Sequence, residues 1–271
     1  MLFEIVPNLS EGRDLATIEA AAAAVERTGA RVLERSSDAV HHRSVLTIAG
    51  NAEQVLGAAI ALAGVALERI DVRRHAGVHP RIGALDVLPF VPLRDATLGD
   101  AAALAHRAGA AIWQRYEIPS FYYGAAARDE SRRLLPEIRR NADWEPDEGD
   151  VRRHLSAGAI AIGARDVLVA FNVELATADI AQAREIARAV RESGGGLRSL
   201  RALAFTRGPD CVQVSLNVTD YAATPLYRVV ELIALLAAER GIGVRGSELV
   251  GCMPQAAAEA ATAYYLGVST L

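Results

Sequence analysis

Twice along this chain the hydrophobic pattern runs strand, helix, strand, strand, helix, strand, and that order permits few packings. In the first pass, Leu2–Val6 alternates as a strand, and Asp14 caps a helix to about Arg27 that stops at Gly29. Arg31–Arg35 and Arg43–Ala49 read as strands flanking a loop, Asp38–His42. Asn51 caps a helix to about Ile70, and Ala84–Val91 is apolar enough for a buried strand. Further elements follow: a helix from Thr97 or Asp100 to about Tyr116, an aromatic strand Ser120–Tyr123, and a charged, solvated helix Arg128–Arg140. Asn141–Gly158 is acidic and irregular, and Ile160–Phe171 contains a central-strand-like run, Asp166–Phe171. From Thr177 the pattern begins again. It gives a helix to about Glu192, strands Leu200–Phe205 and Val212–Val218, a helix from Thr224 or Pro225 to Glu239, a strand Val244–Val250 and a helix from Pro254 to about Tyr265.

This order is the split βαβ signature. It predicts an α+β sandwich of two ferredoxin-like subdomains, residues 1–175 and 176–271. Helices should lie outside, over one face of each sheet. The bare sheet faces are expected to face each other across a central cleft, the kind of place where ligands bind.

Composition narrows the function. The 271 residues are 51% hydrophobic and 23% charged, an ordinary globular profile, with a formal net charge of -4. No bulk basic field attracts nucleic acid or an anionic membrane. All 29 basic residues are arginine. Schiff-base chemistry and a phosphate-loop lysine are thereby excluded, and carboxylate recognition falls to guanidinium groups. Two cysteines make neither a disulfide framework nor a four-thiolate zinc site. Leu2–Val6 is short and carries Glu4, so it does not read as a leader, and every long apolar run is interrupted. A cytoplasmic location is expected.

Three polar loops fall at strand ends: Asn8–Arg13, Asp38–Arg43 and His75–Asp86. Singly, each has a structural explanation. Asn8 and Ser10 can form a turn, and His75 can be a satisfied loop histidine. Together they hold four of the six histidines, with Glu11, Asp38 and Asp86. Gly77, Pro80 and Gly83 stiffen the third loop and exclude a helix there. Two chemistries fit this set. A metal centre would use His75 and His79, whose spacing of four chelates zinc on a helix, but no helix is expected and adjacent His41 and His42 diverge on an extended segment. Metal-free acid–base catalysis would use an imidazole that both takes and returns a proton, oriented by Asp38 or Glu11, with Arg43 and Arg81 holding an anionic substrate. Trp144, in the acidic connection, is placed to line a ligand.

The segments Pro7–Arg13, His42–Val45, Gly77–Pro92, Tyr123–Gly124, Val169–Val173 and Ser247–Gly251, in that order, resemble the glutamate formiminotransferase family. The chain departs from the family pattern at His42, where asparagine is commoner, and at Val78, where glutamate is. The resemblance implies transfer of a formimidoyl group from N-formimidoyl-L-glutamate to N5 of tetrahydrofolate, with tetrahydrofolate as co-substrate, no metal, and a homodimer. It places the catalytic histidine on His79 and a folate-contacting stretch on Gly149–Gly158, with Ser156. Supporting and substrate-binding positions are expected at Asn8, Glu11, Asp38, His42, Arg43, Arg81, Asp86 and Asn172. Folate-binding positions are expected at Gly149, Ser156, Gly158 and Trp144. A formyl-transferring paralogue and a catalytically inactive folate- or small-acid-binding protein are the alternatives.

Overall fold

Pro7 has no amide hydrogen to give a ladder, and the first strand breaks there into β1 (Leu2–Ile5) and β2 (Asn8–Leu9). The structure, a computed structural model, describes residues 1–39, 41–75, 81–141 and 144–269. Both halves of the broken strand pair antiparallel with β4 (Arg43–Gly50) and with β5 (Leu85–Arg94). In turn β3 (Arg31–Asp38) pairs antiparallel with β4. On the far side of β5, β7 (Ile160–Ala164) runs parallel to it, and β6 (Ser120–Gly124) parallel to β7.

The helices start where polar caps stop backbone N–H groups from going unpaired. The Asp14 carboxylate accepts from the Ala16 N–H at the head of α1 (Leu15–Glu26). Asn51 and Gln54 form a capping box on α2 (Ala52–Arg69), and Thr97 and Asp100 form one on α3 (Leu98–Tyr116). The two residues that competed as the start of α3 are thus the two halves of one cap. These helices pack Ile18, Val25, Val55, Leu62, Leu104 and Ile112 against Phe3, Ile5, Leu46, Ile48, Leu88 and Phe90. Each such buried side chain contributes roughly 1.5–3 kcal/mol. Side chains alternate across a strand, so Phe121, Tyr123 and Ala161 point to the opposite face. There they pack with Val87 and with Ile138 of α4 (Leu135–Arg140).

Two expectations are corrected here. The helix expected over Arg128–Arg140 is one short turn, Glu130–Arg132, followed by α4, because Pro136 is tolerated only in a helix's first turn. The strand-like run expected over Asp166–Phe171 begins later, at Val169: β7 ends at Ala164, and β8 (Val169–Leu175) pairs in a different sheet. The chain divides into two units, Met1–Asp166 and Val167–Leu271.

The second unit adds α5 (Ile180–Val190), β9 (Leu200–Gly208), β10 (Cys211–Val218), α6 (Leu226–Ala238), β11 (Val244–Val250) and α7 (Gln255–Leu266). α5 begins three residues later than Thr177 because Asp179 caps it. The sheet order is β11-β8-β10-β9, antiparallel throughout. It repeats β5, β1/β2, β4, β3 of the first unit, so the α+β class and the doubled split βαβ connectivity are as expected. Val173, Val212, Val214, Ile186 and Ile233 form its core. Among the described residues no helix is long and apolar enough to cross a membrane.

Candidate active site

Glu11 lies two residues past the end of β2, in the turn that leads into α1. Three successive backbone N–H groups, those of Gly12, Arg13 and Asp14, donate to its Oε1 at 2.9, 2.7 and 3.0 Å. Burial alone would raise the pKa of this carboxyl. The backbone donors, with His42 and His75 nearby, outweigh it and hold Glu11 below the usual carboxylate range.

His42 closes the turn between β3 and β4 and takes a left-handed conformation, φ 51°. That conformation is uncommon for a residue with a side chain and tends to persist at functional sites. The residue is 7% exposed. Its Nδ1 lies 3.1 Å from the Gly12 nitrogen and 3.3 Å from Glu11 Oε1. Burial, reinforced by the charges of Arg13 and Arg81 and opposed by Glu11, lowers its pKa. A neutral imidazole accepts at Nδ1 from Gly12 and carries its proton on Nε2. The His75 ring stacks on that of His42, centroids 3.9 Å apart and planes at 29°. Its pKa is also lowered, by burial first and then by His42 and Arg81. Its Nε2 is buried and has no hydrogen-bond partner among the described residues.

Glycine lets these loops touch. A Cβ on Gly12 would stand 2.2 Å from the Asp38 carbonyl oxygen and 2.6 Å from the Arg43 nitrogen, so no other residue fits beneath the β3–β4 turn. A Cβ on Gly83 would meet the Ala159 oxygen at 2.0 Å.

Beside the histidines lies a second charged group. Asp86, 2% exposed, accepts from the Ile82 N–H at 2.6 Å and from Arg139 Nη2 at 2.6 Å. Arg43 is close enough to feel Asp86, Arg139 and Asp38, and burial lowers its pKa. Asp38 accepts from the His41 N–H at 2.8 Å, and its other oxygen is 2.9 Å from His41 Nδ1. Arg81 Nη2 donates to the His41 carbonyl at 3.3 Å.

The structure therefore brings Glu11, Asp38, His42, Arg43, Arg81 and Asp86 into one neighbourhood. Asn8 sits at the start of the same loop, where its Nδ2 donates to the Val6 carbonyl at 2.9 Å. His79 and Val78 lie outside the described residues. The folate candidates divide. His154 to Gly158 forms a tight turn whose ends pair at 2.7 and 2.9 Å. Ala84 N–H donates to Ala157 O, Val72 N–H to Ser156 O, and Gly83 bridges to Gly158. Ser156 and Gly158 are thus fastened to the histidine-bearing loop. Gly149 lies against Trp113 and Pro119 instead, at the entry to β6. Trp144 is half-buried, with the Arg132 guanidinium 5.2 Å above its ring. Asn172 belongs to the second unit, where its Nδ2 donates to Glu248 Oε2 at 3.1 Å.

One member, Arg139, was missed from the sequence, and one was placed with another partner. His75 is read there with His79 or as an ordinary loop histidine; its position next to His42 depends on two loops meeting and has no local signal. Arg139 fell in a segment expected to be solvated, yet it grips buried Asp86 from α4, and its Nε is buried without a partner among the described residues. Its neighbour Ile138, apolar amid charge and buried in the structure, was the one available hint.

Comparison with known proteins covers the whole chain. The profile of the formiminotransferase domain, N-terminal subdomain, matches residues 2–165, and that of the formiminotransferase domain matches residues 170–271. A protein of Streptococcus pyogenes serotype M1 named glutamate formimidoyltransferase is 38% identical over 280 residues, 98% of this chain and 94% of its own. A protein of the same name from Thermoplasma acidophilum is 38% identical over 282 residues, 98% of this chain and 92% of its own. The formimidoyltransferase-cyclodeaminase of Gallus gallus is 36% identical over 98% of this chain, which spans 52% of that longer protein.

Proposed function

The chain belongs to the formiminotransferase family, and from that premise we propose that it transfers the formimidoyl group of N-formimidoyl-L-glutamate to N5 of tetrahydrofolate, releasing L-glutamate. One observation carries this reading: the likeness to two proteins named glutamate formimidoyltransferase runs through nearly the full length of both partners.

The chemistry sets the demands on the site. N5 of the folate attacks the amidine carbon. The N5 proton is removed as the new C–N bond forms, and the glutamate nitrogen takes a proton as the old C–N bond breaks. One imidazole can do both in turn. We assign that role to His79. His42 and His75, neutral and next to ionised Glu11, are suited to accept a proton during the exchange.

The substrate carries two carboxylates, and in a chain without lysine they fall to arginine. Arg43, Arg81 and Arg139 are the proposed partners, with Asp86 fixing Arg139 and Asp38 fixing the turn that bears His42. Ser156 and Gly158 are proposed on the folate side, fastened to the histidine loop; Asn8, Trp144, Gly149 and Asn172 remain proposed contacts. The mechanism routes no step through a metal. A homodimer in the cytoplasm completes the proposal.

A coupled assay of glutamate release, with and without tetrahydrofolate and with N-formimidoyl- or N-formyl-glutamate as donor, tests it. Folate-dependent release from the formimidoyl donor is expected. Release from the formyl donor alone would point to the paralogous reaction, and binding without release to a protein that has lost catalysis.

A further inference from the structure

We propose that Glu11, His42 and His75 form a binding site for one divalent transition-metal ion of borderline softness, such as Zn²⁺. Their ligand atoms, a carboxylate oxygen and two ring nitrogens, lie within 4.8 Å of one another. Two ligands of a tetrahedral zinc ion, each at about 2.0–2.1 Å, stand roughly 3.3 Å apart. Glu11 Oε1 and His42 Nδ1 are already at that separation, 3.3 Å. Bringing in the third ligand takes a side-chain movement of about 1–1.5 Å on the same metal–ligand geometry and a turn of the His75 ring out of its stack on His42, because the in-plane lone pairs of stacked rings do not meet at one ion.

Three further features favour a cation. The left-handed backbone at His42 and the missing Cβ of Gly12 hold two of the donors against each other before any ion arrives. Glu11 has three backbone donors on Oε1, so it stays an anion and its position does not depend on His42. The ion takes the place of the Gly12 N–H, which is shared between Glu11 Oε1 and His42 Nδ1, while the Arg13 and Asp14 N–H groups go on holding Oε1. His75 supplies a buried Nε2 with no partner among the described residues, a polar atom that costs free energy until something binds it. One carboxylate and two imidazoles suit zinc, copper, nickel and iron, and do not suit magnesium or calcium. Three protein ligands leave a fourth position open. Arg13 and Arg81 stand close enough to both rings to repel a cation, and they favour an anion in that fourth position. An ion here occupies lone pairs that the transfer reaction would use, so bound zinc slows that reaction. This last consequence rests on the proposed function; the site itself does not.

The test is equilibrium dialysis of chelator-stripped protein against Zn²⁺, with the metal counted by elemental analysis. One equivalent is expected, with affinity at least tenfold weaker in His75→Gln and in His42→Asn, the latter chosen because asparagine accepts a left-handed backbone. Glu11→Gln should weaken it as well, and circular dichroism of each variant checks that it folds. Co²⁺ in place of Zn²⁺ should give a visible ligand-field spectrum that His75→Gln abolishes. Zinc retained well below one equivalent, or retained equally by all variants, overturns the site. Dialysis uses no substrate, so a protein that binds zinc but transfers no formimidoyl group would refute the reaction and leave the cation site standing.

Discussion

The two units share a connectivity and treat charge in opposite ways. Each threads strand, helix, strand, strand, helix, strand into the same sheet order. Among the described residues, the buried carboxylate and imidazole side chains, Glu11, His42 and Asp86, all lie in the first unit. The buried polar groups of the second are the uncharged Asn172, Gln213 and Thr224. Glycines do not follow that division. Gly12 and Gly83 have backbone where a Cβ would stand, and so do Gly194 and Gly196 just past α5 in the second unit, whereas Gly208 and Gly246 have nothing within 4 Å. A split βαβ unit supplies a sheet and a core. It becomes a site only where its loops are pressed together closely enough to take charged groups out of water and give them to one another.

The largest test of that contrast is the loop of the first unit. His79→Ala should lower turnover by about 100- to 10,000-fold, the usual worth of a general acid–base group. Thermal unfolding should stay unchanged. Turnover close to that of the parent protein would move catalysis away from this histidine, and the comparison of units would lose its functional half.

Next comes the pair of anions that hold arginines. Asp86→Ala leaves the Arg139 guanidinium in a buried place without its partner, at an expected cost of about 3–5 kcal/mol. In the second unit Glu248 gathers Asn172, Gln213 and Arg207 near the surface, where Glu248→Ala should cost about 0–1 kcal/mol. Urea unfolding reads both. Equal losses would show that burial is not what separates the units.

Glu4 gives a smaller effect with a definite sign. Burial in β1 raises its pKa above the ordinary 4.5, with Arg165 opposing. The folded state then binds the proton more tightly than the unfolded one. Its contribution is complete below about pH 4.5 and is lost as pH rises through the raised folded value. Glu4→Gln cannot ionise, so its unfolding midpoint relative to the parent should climb from about pH 4 to about pH 7. A constant difference, or one that shrinks with pH, would mean that this carboxylate is well solvated.

Local chemistry was legible in the residues, and contact between distant segments was not. Asp14, Asn51 and Thr97 announced their helices because a cap is a bond between near neighbours. The doubled strand and helix order announced the two sheets. Ile160–Phe171 did not show that two strands lie there in two sheets, because an apolar run does not say which sheet it joins. The role of Arg139 and the contact of His75 with His42 stayed hidden for the same kind of reason: their partners, Asp86 and His42, lie 53 and 33 positions away in the chain. Glu11 and His42 could be named as polar loop residues, but the 3.3 Å between them depends on Gly12 passing under the β3–β4 turn.

The smallest expected effect belongs to the open side of the comparison. Gly246 lies in β11, an exposed strand, with no atom within 4 Å of the place a side-chain methyl would take and no left-handed φ. Alanine there meets no clash, and it narrows the conformations open to the unfolded chain. Gly246→Ala should therefore be neutral or stabilise by up to about 0.4–1 kcal/mol. The same substitution at Gly12 must displace the backbone of the β3–β4 turn and with it His42. If Gly246→Ala destabilised the protein as much as Gly12→Ala did, empty space beside a glycine would be no guide to where a side chain is tolerated. A neutral result beside a damaging one at Gly12 ties the close approach of backbone at Gly12, and not glycine content, to the placing of His42.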